Sequence, residues 1–199
     1  MAIKAVLFDY GGVLTEAGHR SSIRQAVAEL FGIDIGWDQL DPLHDKLRRG
    51  VISNVEFFEE LSKLHGKDEI LTEQDWNAIS KDVFVCSEIM YQLAADLRLA
   101  GLQTGILSNV YQVTADVLRE VGNYDGFDPV ILSCEVHISK PDKQIFDLAV
   151  SRLGCRYEEV LLLDDQEKNT HMAEELGMSA VLVDNHRAAV EEVRRRLQL

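Results

Sequence analysis

Residues Ile3-Lys4-Ala5-Val6-Leu7-Phe8-Asp9-Tyr10-Gly11-Gly12 decide the fold of this chain. A short run of β-prone apolar side chains passes directly into an acid and two glycines, which reads as a buried strand whose carboxyl end opens into a tight loop. The pattern returns further on. Thr104 to Leu107 precedes Ser108 and Asn109, Val130 to Leu132 precedes Ser133, Val160 to Leu163 precedes Asp164 and Asp165, and Ala180 to Val183 precedes Asp184 and Asn185.

Helical patterns fill the intervals: Val110 to Val121, Pro141 to Leu153 with proline at the first turn, Glu167 to Leu176 ended by Gly177, and Ala188 to Leu197. Parallel strands need crossover connections, so alternating strands and helices imply an α/β fold, a doubly wound parallel sheet covered on both faces. The stretch between the first two strands is too long for one crossover and its interior reads as helices. Ser53-Asn54-Val55-Glu56 has capping-box spacing before apolar Phe57, Phe58, Leu61 and Leu64, and Thr72 and Ser87 each stand where a helix could start. These features predict a core domain of residues 1–15 and 86–199 with a helical cap domain inserted at 16–85.

With 199 residues, 46% of them hydrophobic, the chain can bury one sizeable core and a smaller lobe. Twenty Lys and Arg against 34 Asp and Glu leave a formal charge of -14, a poor match to nucleic acid or an anionic membrane surface. Cys86, Cys134 and Cys155 are odd in number and far apart, which points to free thiols in a reducing cytoplasm. Met1 to Phe8 is too short for a signal-peptide core or a membrane span. Oligomeric state is open.

In open α/β sheets ligands bind beyond the carboxyl ends of the strands. There the sequence places Asp9, Ser108, Asn109, Asp164 and Asp165, with Lys140 before Pro141. Three carboxylates converging with a lysine and a hydroxyl call for added positive charge. Mg²⁺, which takes carboxylate and water oxygens and is completed by phosphate, is the economical answer. A phosphate monoester brings about -2, Asp9 and Asp165 about -2 more, and Mg²⁺ with Lys140 returns about +3. In such a site an ionised Asp9 can attack phosphorus and form an aspartyl-phosphate.

These residues carry a family likeness. Val6-Leu7-Phe8-Asp9-Tyr10-Gly11-Gly12-Val13-Leu14 resembles the first motif of the haloacid dehalogenase-like (HAD) hydrolases, Leu107-Ser108-Asn109 the second, Ser139-Lys140-Pro141 the third, and Leu162-Leu163-Asp164-Asp165-Gln166-Glu167-Lys168-Asn169 the fourth. Their order is the family's order, and the likeness spans the chain. It looks closest to the phosphatase-like branch with a small helical cap on a Rossmann-like core. The resemblance implies that Asp9 is the nucleophile and a metal ligand, joined on the metal by the main-chain carbonyl of Gly11 and by Asp165. It further implies that Ser108 and the backbone around Asn109 hold the phosphoryl group, that Lys140 neutralises it and orients Asp9, and that Asp164 binds the metal through water or braces its neighbours. The implied substrate is a small phosphorylated metabolite.

One departure matters. Most phosphatases of the family carry a second Asp two positions after the nucleophile, as general acid and base, where this chain has Gly11. General acid/base catalysis typically supplies about 10²–10⁴-fold, so its loss slows turnover without silencing it and favours good leaving groups. His19 is the nearest replacement acid in sequence. Three rivals bear on the same residues. A dehalogenase proper would need no metal, and the Asp164–Asp165 pair argues against it. A regulatory binding protein is the reading the missing acid favours. A receiver domain would place its acid pair after the first strand.

Each residue has a plainer reading: Asp9 as a turn residue, Asp164 or Asp165 as a helix N-cap, Ser108 as a cap, Lys140 as a solvated turn lysine. Trp37, Phe57, Phe58 and Trp76 fit cap core better than a substrate pocket. His44, His65, His137, His171 and His186 lack metal-ligand spacing.

Overall fold

The computed structural model describes residues 2–16, 26, 29, 32, 37–66, 68 and 71–199. His19 lies outside the described residues, as does the side chain of Trp37. Five parallel strands form one sheet in the order β3-β2-β1-β4-β5: β1 Ala5–Phe8, β2 Gln103–Ser108, β3 Val130–Leu132, β4 Val160–Asp164 and β5 Ser179–Leu182. β1 is central. It pairs with β2, Phe8 opposite Ile106, and with β4, Phe8 opposite Leu163.

Every side chain of β1 is buried, as a strand covered on both faces requires. Strand alternation splits them. Val6 and Phe8 enter one core with Leu161, Leu163, Met90, Leu97, Leu118 and Val193. Ala5 and Leu7 enter the other with Leu162, Ile145, Phe146 and Ala173.

Among the described residues the α-helices with defined bounds are α1 Trp37–Arg48, α2 Asn54–Leu64, α3 Glu73–Val83, α4 Glu88–Leu99, α5 Gln112–Glu120, α6 Ser133–Val136, α7 Lys143–Leu153, α8 Glu167–Glu175 and α9 His186–Leu197. Three starts differ from the sequence reading, the first being that of α5, which begins at Gln112 rather than Val110 because Tyr111 before it has extended backbone. α7 begins at Lys143 because the Asp142 side chain accepts the Gln144 N–H at 3.0 Å; Lys140 and Pro141 therefore lie in the preceding turn, and proline is not in the first turn of the helix. α9 begins two residues before Ala188 because Asn185 caps the Ala188 N–H at 3.0 Å. The Ser53 and Thr72 starts agree with the reading, each closed by a reciprocal capping box, with Glu56 and with Asp75. Ser87 precedes α4 without capping it; its hydroxyl is engaged elsewhere.

The inserted helices pack around Phe57, Phe58, Leu61, Trp76 and Ile79, with Val113 of α5 completing the cluster. The Trp76 indole donates to Thr114 Oγ1 at 3.0 Å. Helix ends leave carbonyls unpaired, and at the end of α1 the core supplies the partners: Ser133 Oγ donates to Arg48 O at 2.6 Å and His137 Nδ1 to Arg49 O at 2.7 Å. Gly50 follows, so close to Cys134 that a Cβ would stand 2.4 Å from its carbonyl oxygen. The two chain crossings into this lobe lie side by side, with Thr15 bridged to Cys86, Glu16 N donating to Val85 O at 2.7 Å and Ser87 N to Leu14 O at 2.9 Å. The three cysteines are free. Among the described residues no helix is long and apolar enough to cross a membrane.

Candidate active site

The carboxyl ends of β1, β2 and β4 bring Asp9, Ser108, Asp164 and Asp165 to one edge of the sheet. Asp9 is held by backbone on both sides: its N–H donates to Leu163 O at 2.8 Å, and its Oδ1 accepts the Tyr10 N–H at 2.7 Å. Asp9, Asp164 and Asp165 each present a carboxylate oxygen within 4.8 Å of the others. Lys140 completes the group. Its side chain is fully buried, with Nζ 3.1 Å from Asp9 Oδ1 and 2.5 Å from Asp164 Oδ2.

Asn109 explains how a lysine from a loop is held so firmly. Its side chain forms two hydrogen bonds with the Lys140 backbone, Nδ2 to Lys140 O at 2.9 Å and Lys140 N to Oδ1 at 2.8 Å. The structure thus gives the Asn109 side chain a bracing task that the sequence did not suggest. Asp164 is braced as well, its Oδ1 accepting the Gln166 N–H at 2.9 Å and Asn169 Nδ2 at 2.8 Å. It serves the backbone ahead of α8 through one oxygen and Lys140 through the other, so the plain and the functional readings hold together. Ser108 is buried and caps no helix.

The electrostatics are lopsided. Burial pushes the Asp9 carboxyl up from 3.8 to about 7; Lys140 pulls against the rise, Asp164 and Asp165 add to it, and Ser108 opposes it. Asp165 is raised as well, by desolvation and then by Asp164, against Lys140. Burial alone would lower the Lys140 ammonium, but Asp9 and Asp164 outweigh it and raise it. Three carboxylates share one lysine, so the group has a surplus of negative charge that a divalent cation would relieve. By this measure the donor set fits Mg²⁺.

Between Asp9 and the lobe runs one irregular turn, Tyr10–Leu14. Tyr10 packs into the core, its hydroxyl accepting from Asn123 Nδ2 at 2.7 Å. Gly11 has ordinary extended backbone, and a Cβ there would meet nothing within 4 Å. Gly12 is the opposite: φ is +71°, and a Cβ would lie 2.5 Å from Asp165 Oδ2. Sequence reasoning missed His186, whose Nε2 donates to Gly12 O at 3.0 Å while Nδ1 meets Ser87 Oγ at 2.8 Å. With 174 positions between His186 and Gly12, no local periodicity could signal the contact. A cavity of about 1000 Å³ opens beside Gly12, Asp165 and His186, bordered also by Glu16, Glu88 and Arg187.

A parallel α/β sheet with an acid at the end of its central strand, an acid pair at the end of the neighbouring strand and a buried lysine between them is the arrangement of a carboxylate-based hydrolase site. The family model of the haloacid dehalogenase-like hydrolases matches residues 3–177, and the chain belongs to that family. Acyl-CoA dehydrogenase family member 10 of Mus musculus is 29% identical over 96% of this chain and 19% of its own length. The chain spans about a fifth of the first curated relatives it matches. The glyceraldehyde 3-phosphate phosphatase of Methanothermobacter thermautotrophicus is 26% identical over 95% of this chain and 89% of its own. Among solved structures, a predicted HAD-like family hydrolase from Porphyromonas gingivalis superposes with a TM-score of 0.82 at 28% identity, covering both chains in full. A HAD family enzyme of Bacteroides thetaiotaomicron, solved with magnesium and inorganic phosphate, shares the fold with a TM-score of 0.74 at 24% identity, over 91% of this chain and 94% of its own.

Proposed function

We propose that this chain is a Mg²⁺-dependent phosphatase that hydrolyses a small phosphorylated metabolite in the cytoplasm through an aspartyl-phosphate on Asp9. The observation that carries the reading is the grouping of the Asp9, Asp164 and Asp165 carboxylates within 4.8 Å of one another around the buried Lys140. Asp9, Asp165 and the Gly11 carbonyl would hold the cation, which when bound neutralises phosphate oxygens and keeps Asp9 ionised. The helical lobe of residues 16–85 serves as the cap.

Asp9 attacks phosphorus, and the ester oxygen leaves with the electron pair of the P–O bond. Lys140 and the Ser108 hydroxyl hold the transferring phosphoryl oxygens, where charge builds. Asp164 keeps the Lys140 ammonium in place, and Asn109 fixes the loop that carries it. Water then attacks phosphorus of the aspartyl-phosphate, returning Asp9 and releasing phosphate. With glycine at position 11, the leaving group receives no proton from that position, so acyl phosphates and sugar 1-phosphates are turned over faster than alkyl phosphates.

The test is phosphate release from a panel of esters and acyl phosphates with Mg²⁺, beside Asp9→Asn and EDTA controls. Release abolished in both controls supports the mechanism. No release on any substrate by a folded protein that binds Mg²⁺ would favour a regulatory binding protein, and chloride release from 2-haloacids without Mg²⁺ would favour a dehalogenase.

A further inference from the structure

Gly11 at φ -66°, ψ 130° and Gly12 at φ 71°, ψ -7° are the central residues of a type II turn from Tyr10 to Val13. Two glycines do little to hold the peptide plane between them, because neither resists the rotation that converts type II into type I. Something else must hold it. The plane is rigid and trans, so its C=O and N–H point in opposite directions. The N–H is that of Gly12, and it donates to Thr15 Oγ1 at 3.0 Å. The Gly11 carbonyl is thereby aimed away from Thr15.

Its direction follows from sterics. At positive φ a Cβ crowds the carbonyl oxygen of the preceding residue, which is why the region is costly for residues that carry one. The Cβ position of Gly12 therefore lies beside Gly11 O, and that same position falls 2.5 Å from Asp165 Oδ2. The Gly11 carbonyl and the Asp165 carboxylate share one space. His186 steadies the next peptide through Gly12 O, and Ser87 steadies His186. Thr15 and Ser87 both stand where the inserted lobe joins the core.

We infer that Thr15 is a positioning residue whose hydroxyl locks the Gly11–Gly12 peptide, so that the Gly11 carbonyl faces Asp165 and is ready for a divalent cation. The cation rests on the phosphatase reading above; the lock rests on the turn geometry. Two measurements on the whole chain separate them. Hydrogen exchange of the Gly12 amide in metal-free protein reads the lock, and calorimetric titration with Mg²⁺ reads its consequence.

In Thr15→Val the Gly12 amide exchanges at least about tenfold faster, and Mg²⁺ affinity falls by about 10–100-fold, the usual effect of losing a group that orients a ligand. Thr15→Ser, which keeps the acceptor, restores both. Thr15→Ala carries the same expectation should the valine variant fold poorly. Wild-type Mg²⁺ affinity or unchanged Gly12 exchange in the variants lacking the hydroxyl overturns the inference. A wild-type chain that binds no Mg²⁺ sinks the metal reading, and the Gly12 amide then decides the lock on its own.

Discussion

Asp9 is destabilising by design of its surroundings, and the sign of the effect can be worked out. Its carboxyl stands at about 7 in the folded chain against an ordinary 3.8. A folded-state value raised above the unfolded one favours folding below the unfolded value, and that contribution is lost as pH rises through the folded value. The metal-free protein should therefore lose stability between about pH 4 and pH 7 from this residue, in the same direction as the raised Asp165. Asp9→Asn removes the titration, so the metal-free variant should melt higher than wild type at pH 8 while showing no phosphatase activity. Equal melting temperatures at pH 8 would mean that the three acids do not strain the fold.

Gly11 makes a second prediction at this scale. A side chain at position 11 meets open space and needs no unusual backbone. Gly11→Asp should fold with unchanged melting temperature and raise turnover of alkyl phosphates by about 10²-fold, the low end of what a general acid supplies. Steady-state rates on matched alkyl and aryl phosphates would show it, and no gain on the alkyl esters would mean that the new carboxyl misses the leaving oxygen. Gly12 has no such freedom: Gly12→Ala drives a methyl into Asp165, and weaker Mg²⁺ binding is the outcome expected from calorimetry.

Among the elements, legibility follows the reach of the signal. The strands could be read because each apolar run ends in polar residues, and the α2 and α3 starts because a capping box is complete within four residues. The end of α1 could not be read, since its carbonyls are satisfied by Ser133 and His137, 85 and 88 positions away. The site shows the same division. Asp9, Ser108, Lys140, Asp164 and Asp165 stand out in order along the chain, whereas Thr15 and His186 are ordinary until the turn at Gly12 gives them partners. Local energetics can be tested on α2: Ser53→Ala removes the cap of Glu56 N–H and should cost about 1 kcal/mol of stability by chemical denaturation. Trp76→Ala empties the centre of the inserted lobe and severs its bond to Thr114, with an expected loss of about 3–5 kcal/mol.

On the scale of the whole molecule, binding of the proposed cation would be coupled to folding. A ligand that binds the folded chain alone stabilises it by about 2.7 kcal/mol at a hundred times its dissociation constant. Bound at the three acids, Mg²⁺ would also relieve the repulsion that grows with pH, so the rise in melting temperature on adding Mg²⁺ should be larger at pH 8 than at pH 5. A shift of the same size at both values would separate the cation from the acid cluster.

The place of β1 in the sheet bears on how the molecule is made. Its partners begin at Gln103 and Val160, so a chain growing on the ribosome has made Asp9 long before either neighbour of that strand exists. The helices between β1 and β2 emerge first and have their own apolar centre to gather around. Asp164 and Asp165 arrive only after Lys140. A nascent chain stalled short of Val160 therefore carries Asp9, Lys140 and the helices between β1 and β2 without the acid pair, and its central strand stays open along one edge for a chaperone to guard.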